Sequence, residues 1–535
     1  MNKKNVLFLI IDALRYDVVA NEADRAVLMP NLGKLFDGGF FSRVVANSAT
    51  TQFVLPALLS QTYPLDYGGY DSGIRKRPQS FVELLKKAGY FTHLATSCNQ
   101  YGLTHDYDRG FDSVRGLYSA SGQIRRLILR KLDYEISLWK SGEKSQNEVI
   151  EVVREELGLL LRKLKSQEVA GPRLPINWRQ AEWHNKRISD RCQMEIELLE
   201  ANPMAVIDKI SEMTAANYWA ALGDAPSKLH QNLVRFSSIF LWAIELVVYR
   251  FGTNIPKFGA YQFPVELVVS GLPDTLKNRR PWFVLIHVMD VHSFFFFRGI
   301  VDILRKLRHL PRLLMARRRG LCRRPLLHDL SLMQIDYKLK QILNALKSQN
   351  PAEDPIVVII GDHGKHFPGI DARPPSDVHQ RTYREHIDTV FMMSGTGKLP
   401  DPIDGLLDSM SVSSTLLEAL DISPHASFKG TSAYDGGRKY VISENAGRGS
   451  ADLERKDMFF TITSKTHKLM TGLFGDQLLP IALFDLTIDP NERTDVKAEK
   501  QYQDVIEAML KEIVRERAEV LNLRMNIPPD NTVTG

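Results

Sequence analysis

Cysteine is scarce in this chain. Cys98, Cys192 and Cys322 are the three that occur among 535 residues, and no Cys-x-x-Cys pair is present. Three widely separated thiols exclude a disulfide-stapled scaffold and fit ordinary reduced cysteines in a cytosolic protein. Long apolar runs are missing as well. Val6 to Ile11 meets Asp12 and Arg15 with no small-residue cleavage site, so it reads as a first core strand rather than a secretory leader. A later run, Ile239 to Tyr249, is interrupted by Glu245 and falls short of the roughly 20 apolar residues that a membrane-spanning helix needs. No transmembrane segment is therefore expected. Internal repeats and low-complexity tracts are also absent, which argues against a solenoid.

What is present is the composition of a large globular protein. The 44% hydrophobic content suits a sizeable core and more than one domain. The net charge of +6 is unevenly placed: ten Lys or Arg against Asp302 in residues 298–324 give +9, leaving −3 for the remainder. This segment interleaves Leu and Ile with Arg and Lys and contains Pro311. It suits either a core helix with a charged outer face or an amphipathic piece lying on an anionic bilayer, with Phe294–Phe297 and Phe236–Tyr249 as further contact elements. No nucleic-acid-binding motif accompanies the charge, and no nucleic acid partner is expected.

Strand and helix signals alternate through the first 115 residues. Val6–Ile11 and Tyr90–Thr96 read as strands; Met29–Phe36, Leu55–Ser60 and Phe81–Gly89 read as helical. Pro281–Asp290 and Ile356–Ile360 restore buried-strand patterns after a largely helical stretch. The fold class expected is α/β, a mostly parallel sheet flanked by helices, with a helical insertion and a smaller C-terminal α+β subdomain. The boundaries expected are a catalytic domain over 1–437, with the insertion at 118–276 and the basic segment at 298–324, and a C-terminal subdomain over 438–535. That subdomain shows strands at Lys439–Ser443, Met458–Thr463 and Lys468–Met470, then a helix, Gln501–Leu521, with Val505, Ile506, Met509, Leu510, Ile513 and Val514 on one side.

Three stretches carry the chemistry. Asp12 ends the run Asn5–Asp12, and Asp362-His363 ends the run Pro355–Gly364. Between them in sequence stands Thr51. Two carboxylates, an imidazole and a hydroxyl form a donor set for a divalent metal that turns an alcohol into a nucleophile. The mixed oxygen and nitrogen ligands suit Mn²⁺ or Zn²⁺ over Mg²⁺ or Ca²⁺. The plainer alternatives are a helix N-cap for Thr51 and turn-forming strand ends for the two aspartates. Lys365, directly after Asp-His-Gly, is a candidate partner for a phosphate, or simply a solvated charge. Arg15 and Asp17 read as a structural ion pair.

These stretches, in this order, resemble the sulfatase branch of the alkaline phosphatase superfamily. Asn5-Val-Leu-Phe-Leu-Ile-Ile-Asp12 is similar to its opening strand, and Leu58-Leu-Ser-Gln-Thr-Tyr-Pro64 to the end of its nucleophile segment. Gly361-Asp-His-Gly364 is similar to its second metal pair, and Ala482-Leu-Phe-Asp-Leu-Thr-Ile-Asp-Pro-Asn-Glu492 to its C-terminal stretch. Three positions depart from the sulfatase pattern. Thr51 stands where sulfatases carry the Cys or Ser matured to formylglycine, Leu55 where they carry Arg, and Ala13 where a second Asp is frequent. Threonine at this position resembles the phosphoethanolamine transferases and lipoteichoic acid synthases of the superfamily.

The resemblance implies one divalent metal held by Asp12, Thr51, Asp362 and His363. It further implies catalytic roles for Thr51, His292 and His379, with His292 and Lys365 on the substrate. The function expected is a metal-dependent hydrolase or transferase acting on phosphate esters through a covalent Thr51 intermediate. The substrate expected is a phosphorylated glycan, lipid or small molecule, and the location cytoplasmic, with peripheral contact to the inner face of the membrane through 298–324. Two alternatives stand beside it: a sulfuric ester hydrolase without formylglycine, and a non-catalytic membrane-associated scaffold of the same fold.

Overall fold

The computed structural model describes residues 3–117, 120–166, 185–212, 257–258, 264–294, 296–297, 300–349, 354–367, 370–371, 382–446 and 457–525. The candidate contact element Phe236–Tyr249 and the candidate His379 lie outside them.

In chain order the strands are β1 (Val6–Ile11), β2 (Phe40–Val45), β3 (Phe91–Thr96), β4 (Ser113–Gly116), β5 (Lys257–Phe258), β6 (Trp282–Val288) and β7 (Phe296–Phe297). They continue as β8 (Ile356–Ile360), β9 (Asp388–Ser394), β10 (Leu407–Asp408), β11 (Val441–Ala446), β12 (Met458–Thr463), β13 (His467–Phe474) and β14 (Gln477–Asp485). Eight of them form the main sheet in the order β10-β2-β9-β8-β1-β6-β3-β4. The pairings are parallel except those of β9, which runs against both β8 and β2. β5 and β7 form a separate short parallel pair.

The centre of this sheet is apolar on both faces, as strands covered by helices on each side must be. Val6, Phe8 and Ile10 of β1 enter one core with Leu85, Phe283 and Val358; Leu7, Leu9 and Ile11 enter the opposite one with Val284, Ile286 and Ile359. Helices supply the covering layers, among them Phe81–Lys87, whose N-terminus Ser80 and Glu83 close with a capping box. Residues 120–166 and 185–212 are helical over most of their length, so the helical character expected of this stretch is observed where it is described.

Strands β11 to β14 form a second, antiparallel sheet in chain order. The C-terminal helix Gln503–Leu521 lies on it and buries Ile506, Met509, Ile513, Val520 and Leu521 with Phe460, Ile462, Leu469 and Leu483. Phe53 and Tyr63, from the segment around Thr51, join the same cluster. The smaller sheet is thereby packed against the part of the chain that presents Thr51.

The basic segment forms two helices, Ile300–Leu307 and Leu310–Arg318, with Pro311 in the first turn of the second. Many of its cations are engaged within the fold. Lys306 pairs with buried Asp302 at 3.0 Å, Arg317 with Asp329 at 3.0 Å and Arg324 with Asp24 at 3.1 Å. Arg308 lies 3.7 Å over the Tyr337 ring. Phe294 is buried and packs edge-on to His328 and Phe367. No helix among the described residues is long and apolar enough to cross a membrane.

Candidate active site

The site stands where an open α/β sheet brings its carboxyl ends together. Asp12 follows β1, Asp362 follows β8 after Gly361, and His292 lies just beyond β6. Two glycines set the Asp362-His363 pair tightly in place. A Cβ at Gly361 would sit 2.2 Å from the Leu14 carbonyl oxygen, and one at Gly364 2.3 Å from that of Glu385. The chain turns at Ala13, whose φ of 63° is in the left-handed region, and the Ala13 N–H donates to Asp362 Oδ1 at 3.1 Å. The position that departs from the family pattern thus joins the two metal-type motifs through its backbone.

Thr51 is the first residue of the buried helix Thr51–Ser60. The cap position belongs to Thr50, which is extended and makes no side-chain cap bond. The Thr51 hydroxyl instead lies 3.0 Å from Asp12 Oδ2 and 3.2 Å from His363 Nε2. Pro56 within this helix lacks the N–H that would bond to Gln52, and the Tyr107 hydroxyl donates to the Gln52 carbonyl in its place at 3.3 Å. The loop leading to Thr51 is held by β11. The Asn47 side chain donates to Ile442 O at 3.0 Å, and the Ser48 hydroxyl to Glu444 O at 2.7 Å.

The donor set fits a cation. Asp12 Oδ1 and Asp362 Oδ2 are buried and make no hydrogen bond. Leaving such atoms bare in a protein interior costs about 1–3 kcal/mol each, more when charged. His363 Nδ1 is bonded to the Gly364 carbonyl at 2.6 Å, which leaves Nε2 facing Thr51 and Asp12 as the free ligand nitrogen. Asp12, His292 and His363 lie close enough together to hold one ion. Burial works against charge on Asp12, yet His292, His287 and His363 hold its carboxyl well below the usual range. Burial, and then the Asp12 charge, push Asp362 up. A divalent ion between the two would relieve that repulsion.

The residues singled out in the sequence converge in large part. The Thr51 hydroxyl meets Asp12 and His363, Asp362 Oδ2 lies 3.8 Å from His363 Nε2, and the His292 ring stands edge-on to that of His363 at 6.0 Å. Burial pushes His292 down to about 3 against the pull of Asp12. Lys365 donates through its ammonium to the His292 carbonyl and lies 5.2 Å over the Phe294 ring. Arg15 pairs with Asp17 at 2.9 Å and donates to Lys365 O at 3.0 Å, so this ion pair supports the loop behind the site. His287, which the sequence reading passed over, is fully buried with Nε2 3.4 Å from Asp12 Oδ2. Burial opposes its charge, and the Cys98 and Asp12 side chains override this and push it up to about 10. Its signal in the sequence is a histidine inside the otherwise apolar strand Trp282–Val288.

The sequence matches the model of the family described as Sulfatase over residues 4–161 and 265–422. The interval between the two matched parts lies inside the 118–276 stretch. No curated protein matches the sequence. Among solved structures, a 2-O GAG sulfatase superposes with a TM-score of 0.51 at 13% identity, covering 97% of this chain and 92% of that one. The phosphonate monoester hydrolase of Agrobacterium radiobacter gives 0.53 at 13% identity, covering 97% and 96%. Another from Silicibacter pomeroyi also gives 0.53 at 13% identity, covering 97% and 96%. At these identities the likeness is one of fold.

Proposed function

The chain belongs to the sulfatase family of the alkaline phosphatase superfamily, and we propose that it is a metal-dependent hydrolase or transferase of phosphate esters in which Thr51 is the nucleophile. The observation that carries this reading is the Thr51 hydroxyl itself, buried at a helix N-terminus 3.0 Å from Asp12 Oδ2 and 3.2 Å from His363 Nε2. A threonine cannot mature to formylglycine, and Leu55 replaces the arginine of that signature. In this reading residues 1–437 carry the chemistry, and 438–535 buttress the Thr51 loop.

Asp12, Thr51, Asp362 and His363 would hold the metal, with Mn²⁺ or Zn²⁺ favoured by the imidazole ligand. When bound, a divalent ion lowers the pKa of the Thr51 hydroxyl and neutralises charge on the phosphoryl group. The Thr51 hydroxyl gives up its proton to solvent, and its oxygen forms a bond to phosphorus as the bond from phosphorus to the ester oxygen breaks, leaving a phosphothreonine. The N-terminus of the Thr51–Ser60 helix favours the anionic group placed there. His292, beside His363, is the proposed group that delivers a proton to the leaving oxygen. His379 is the second candidate for that role. Lys365 holds the His292 segment through its carbonyl, and its ammonium is the proposed counter-charge for the substrate. Water or an acceptor alcohol on a glycan, lipid or small molecule then takes the group from Thr51. The proposal takes in no membrane surface, because the cations of the basic segment named above are paired within the fold.

The test compares aryl phosphodiester, aryl phosphomonoester and aryl sulfate turnover by the protein loaded with Mn²⁺ or Zn²⁺. Phosphate esters should be turned over faster than the sulfate, and Thr51→Ala should lose at least about 10⁴-fold in kcat, of the order seen when a covalent nucleophile is removed. Preference for aryl sulfate would support a sulfuric ester hydrolase instead. Robust turnover by Thr51→Ala would remove Thr51 from the mechanism.

A further inference from the structure

A second cluster beside Thr51 shares only Asp12 with the chemistry just described. Three adjacent strands deliver it. β6 lies between β1 and β3, with His287 opposite Ile10 on one side and Thr96 on the other. Asp12 follows β1 and Cys98 follows β3, so both come level with His287 at the same edge. All three side chains are buried. One sulfur, one imidazole nitrogen and one carboxylate oxygen there lie within 4.8 Å of one another. We propose that Asp12, Cys98 and His287 form a second cation site, selective for a thiophilic divalent ion such as Zn²⁺, with Asp12 shared between it and the Thr51 centre.

The arrangement is a triangle rather than a line. An imidazole that merely relayed hydrogen bonds would hold its partners on opposite ring nitrogens, farther apart than these two are. Here a single nitrogen faces both the sulfur and the carboxylate. Neither ring nitrogen of His287 makes a hydrogen bond, although the residue is fully buried. Buried polar atoms are nearly always partnered, and what faces this imidazole is the Asp12 carboxylate at 3.4 Å and the Cys98 sulfur, two further donors of metal-ligand type.

The Asp12 carboxylate can serve two ions. Oδ2 faces His287 at 3.4 Å, and Oδ1 faces His363 at 3.4 Å. The donor chemistry then discriminates. A thiolate and an imidazole favour Zn²⁺ and disfavour Mg²⁺ and Ca²⁺, which prefer oxygen ligands. Three protein ligands leave a fourth position open, as in zinc sites that bind water or substrate. The Tyr101 ring, 5.1 Å from that of His287, closes the site on another side. Binding requires Cys98 to give up its thiol proton and His287 its second ring proton to solvent, and bonds from the metal to sulfur and to nitrogen replace the S–H and N–H bonds.

The test uses the full chain, stripped with a chelator and dialysed against Zn²⁺ or Co²⁺. Wild type should retain two ions per chain, and its cobalt form should show a near-ultraviolet thiolate-to-cobalt charge-transfer band. Cys98→Ser, which keeps the shape, should drop the count from two to one and abolish the band. Asp362→Asn should also lose one ion yet keep the band, which separates this site from the Thr51 centre. Thermal melting of each variant checks that it is folded. One ion in wild type, no sulfur band at two equivalents, or two ions retained by folded Cys98→Ser would each overturn the proposal. None of these readouts depends on Thr51 being the nucleophile.

Discussion

Arg517→Met should destabilise the protein strongly, and more so at high pH than at low. Arg517 is fully buried in the C-terminal helix. It lies 2.9 Å from Asp66 Oδ1, donates to Glu444 and covers the Tyr63 ring at 4.2 Å. Asp66 and Tyr63 belong to the chain just after the Thr51–Ser60 helix, and Glu444 to β11, so one guanidinium ties three parts of the structure together. Glu444 also accepts from Leu65 N at 3.0 Å, and Asp66 from Lys429 at 2.9 Å. Removing one partner of a buried ion pair costs about 3–5 kcal/mol, because the charge left behind has no compensation. With unfolding entropy near 2.1 cal/mol/K per residue, 535 residues unfolding together give about 1.1 kcal/mol/K, so Tm should fall by about 3–5 °C. The fall is larger if the C-terminal part opens on its own.

The pH dependence has a definite sign. Glu444 is pushed up by burial, and by Asp66, against the pull of Arg517. A raised folded pKa gives stability that is full below the unfolded value and is lost as pH rises through the folded one. Without Arg517 the Glu444 pKa climbs further, so the penalty should be largest near pH 8 and shrink toward pH 5. Asp66 behaves in the opposite way. Burial would raise it, but Arg517 and Lys429 hold it low, and its contribution fades only in acid below that window. Adding Glu444→Gln to Arg517→Met should recover part of the loss. Calorimetry of the variants at both pH values is the assay. A Tm change below about 1 °C near pH 8, or a penalty that grows on acidification, would refute the reasoning.

Two further outcomes are expected. Gly361→Ala forces a methyl to within 2.2 Å of the Leu14 carbonyl and so displaces Asp362; kcat should fall about 100-fold, as for a misplacement near 1 Å, and metal affinity should weaken with it. Isothermal titration together with turnover checks this, and an unchanged Kd would show that the backbone absorbs the methyl elsewhere. The bare oxygens of Asp12 and Asp362 predict that Mn²⁺ or Zn²⁺ stabilises chelator-treated protein by about 2.7 kcal/mol at a hundred times Kd. Thermal shift reads this directly, and no rise with either ion would count against a cation site at these carboxylates.

Much of the architecture was legible because period and burial are written locally. Val6–Ile11 and Ile356–Ile360 are continuous apolar runs, and both are central strands of the sheet. The helix expected from Gln501 to Leu521 is seen from Gln503, and of the six residues placed on its apolar side Ile506, Met509 and Ile513 are the buried ones. Ordered motifs with fixed neighbours likewise identified the family from Asp12, the Thr51 segment and Gly361-Asp-His-Gly364. Their meeting point followed from family order, not from any local signal.

Other features depended on contacts between distant segments. For Thr51 a helix cap was the plainer alternative until the structure assigned the cap to Thr50 and turned the Thr51 hydroxyl to Asp12 and His363. Cys98 and His287 lie far apart in sequence; Cys98 looked like a plain thiol, and nothing local marked His287 as part of a site. The order of β1, β6 and β3 sets them beside Asp12. The basic segment read either as a core helix with a charged outer face or as a membrane-surface piece; Leu313 and Ala316 are buried, and Arg317 and Arg324 find Asp329 and Asp24 within the fold. Sequence by itself determined which segments are strands and helices and which family they build, since those depend on local period and motif. Tertiary structure alone decided which polar and charged side chains lie together, because such encounters depend on strand order rather than on neighbours along the chain.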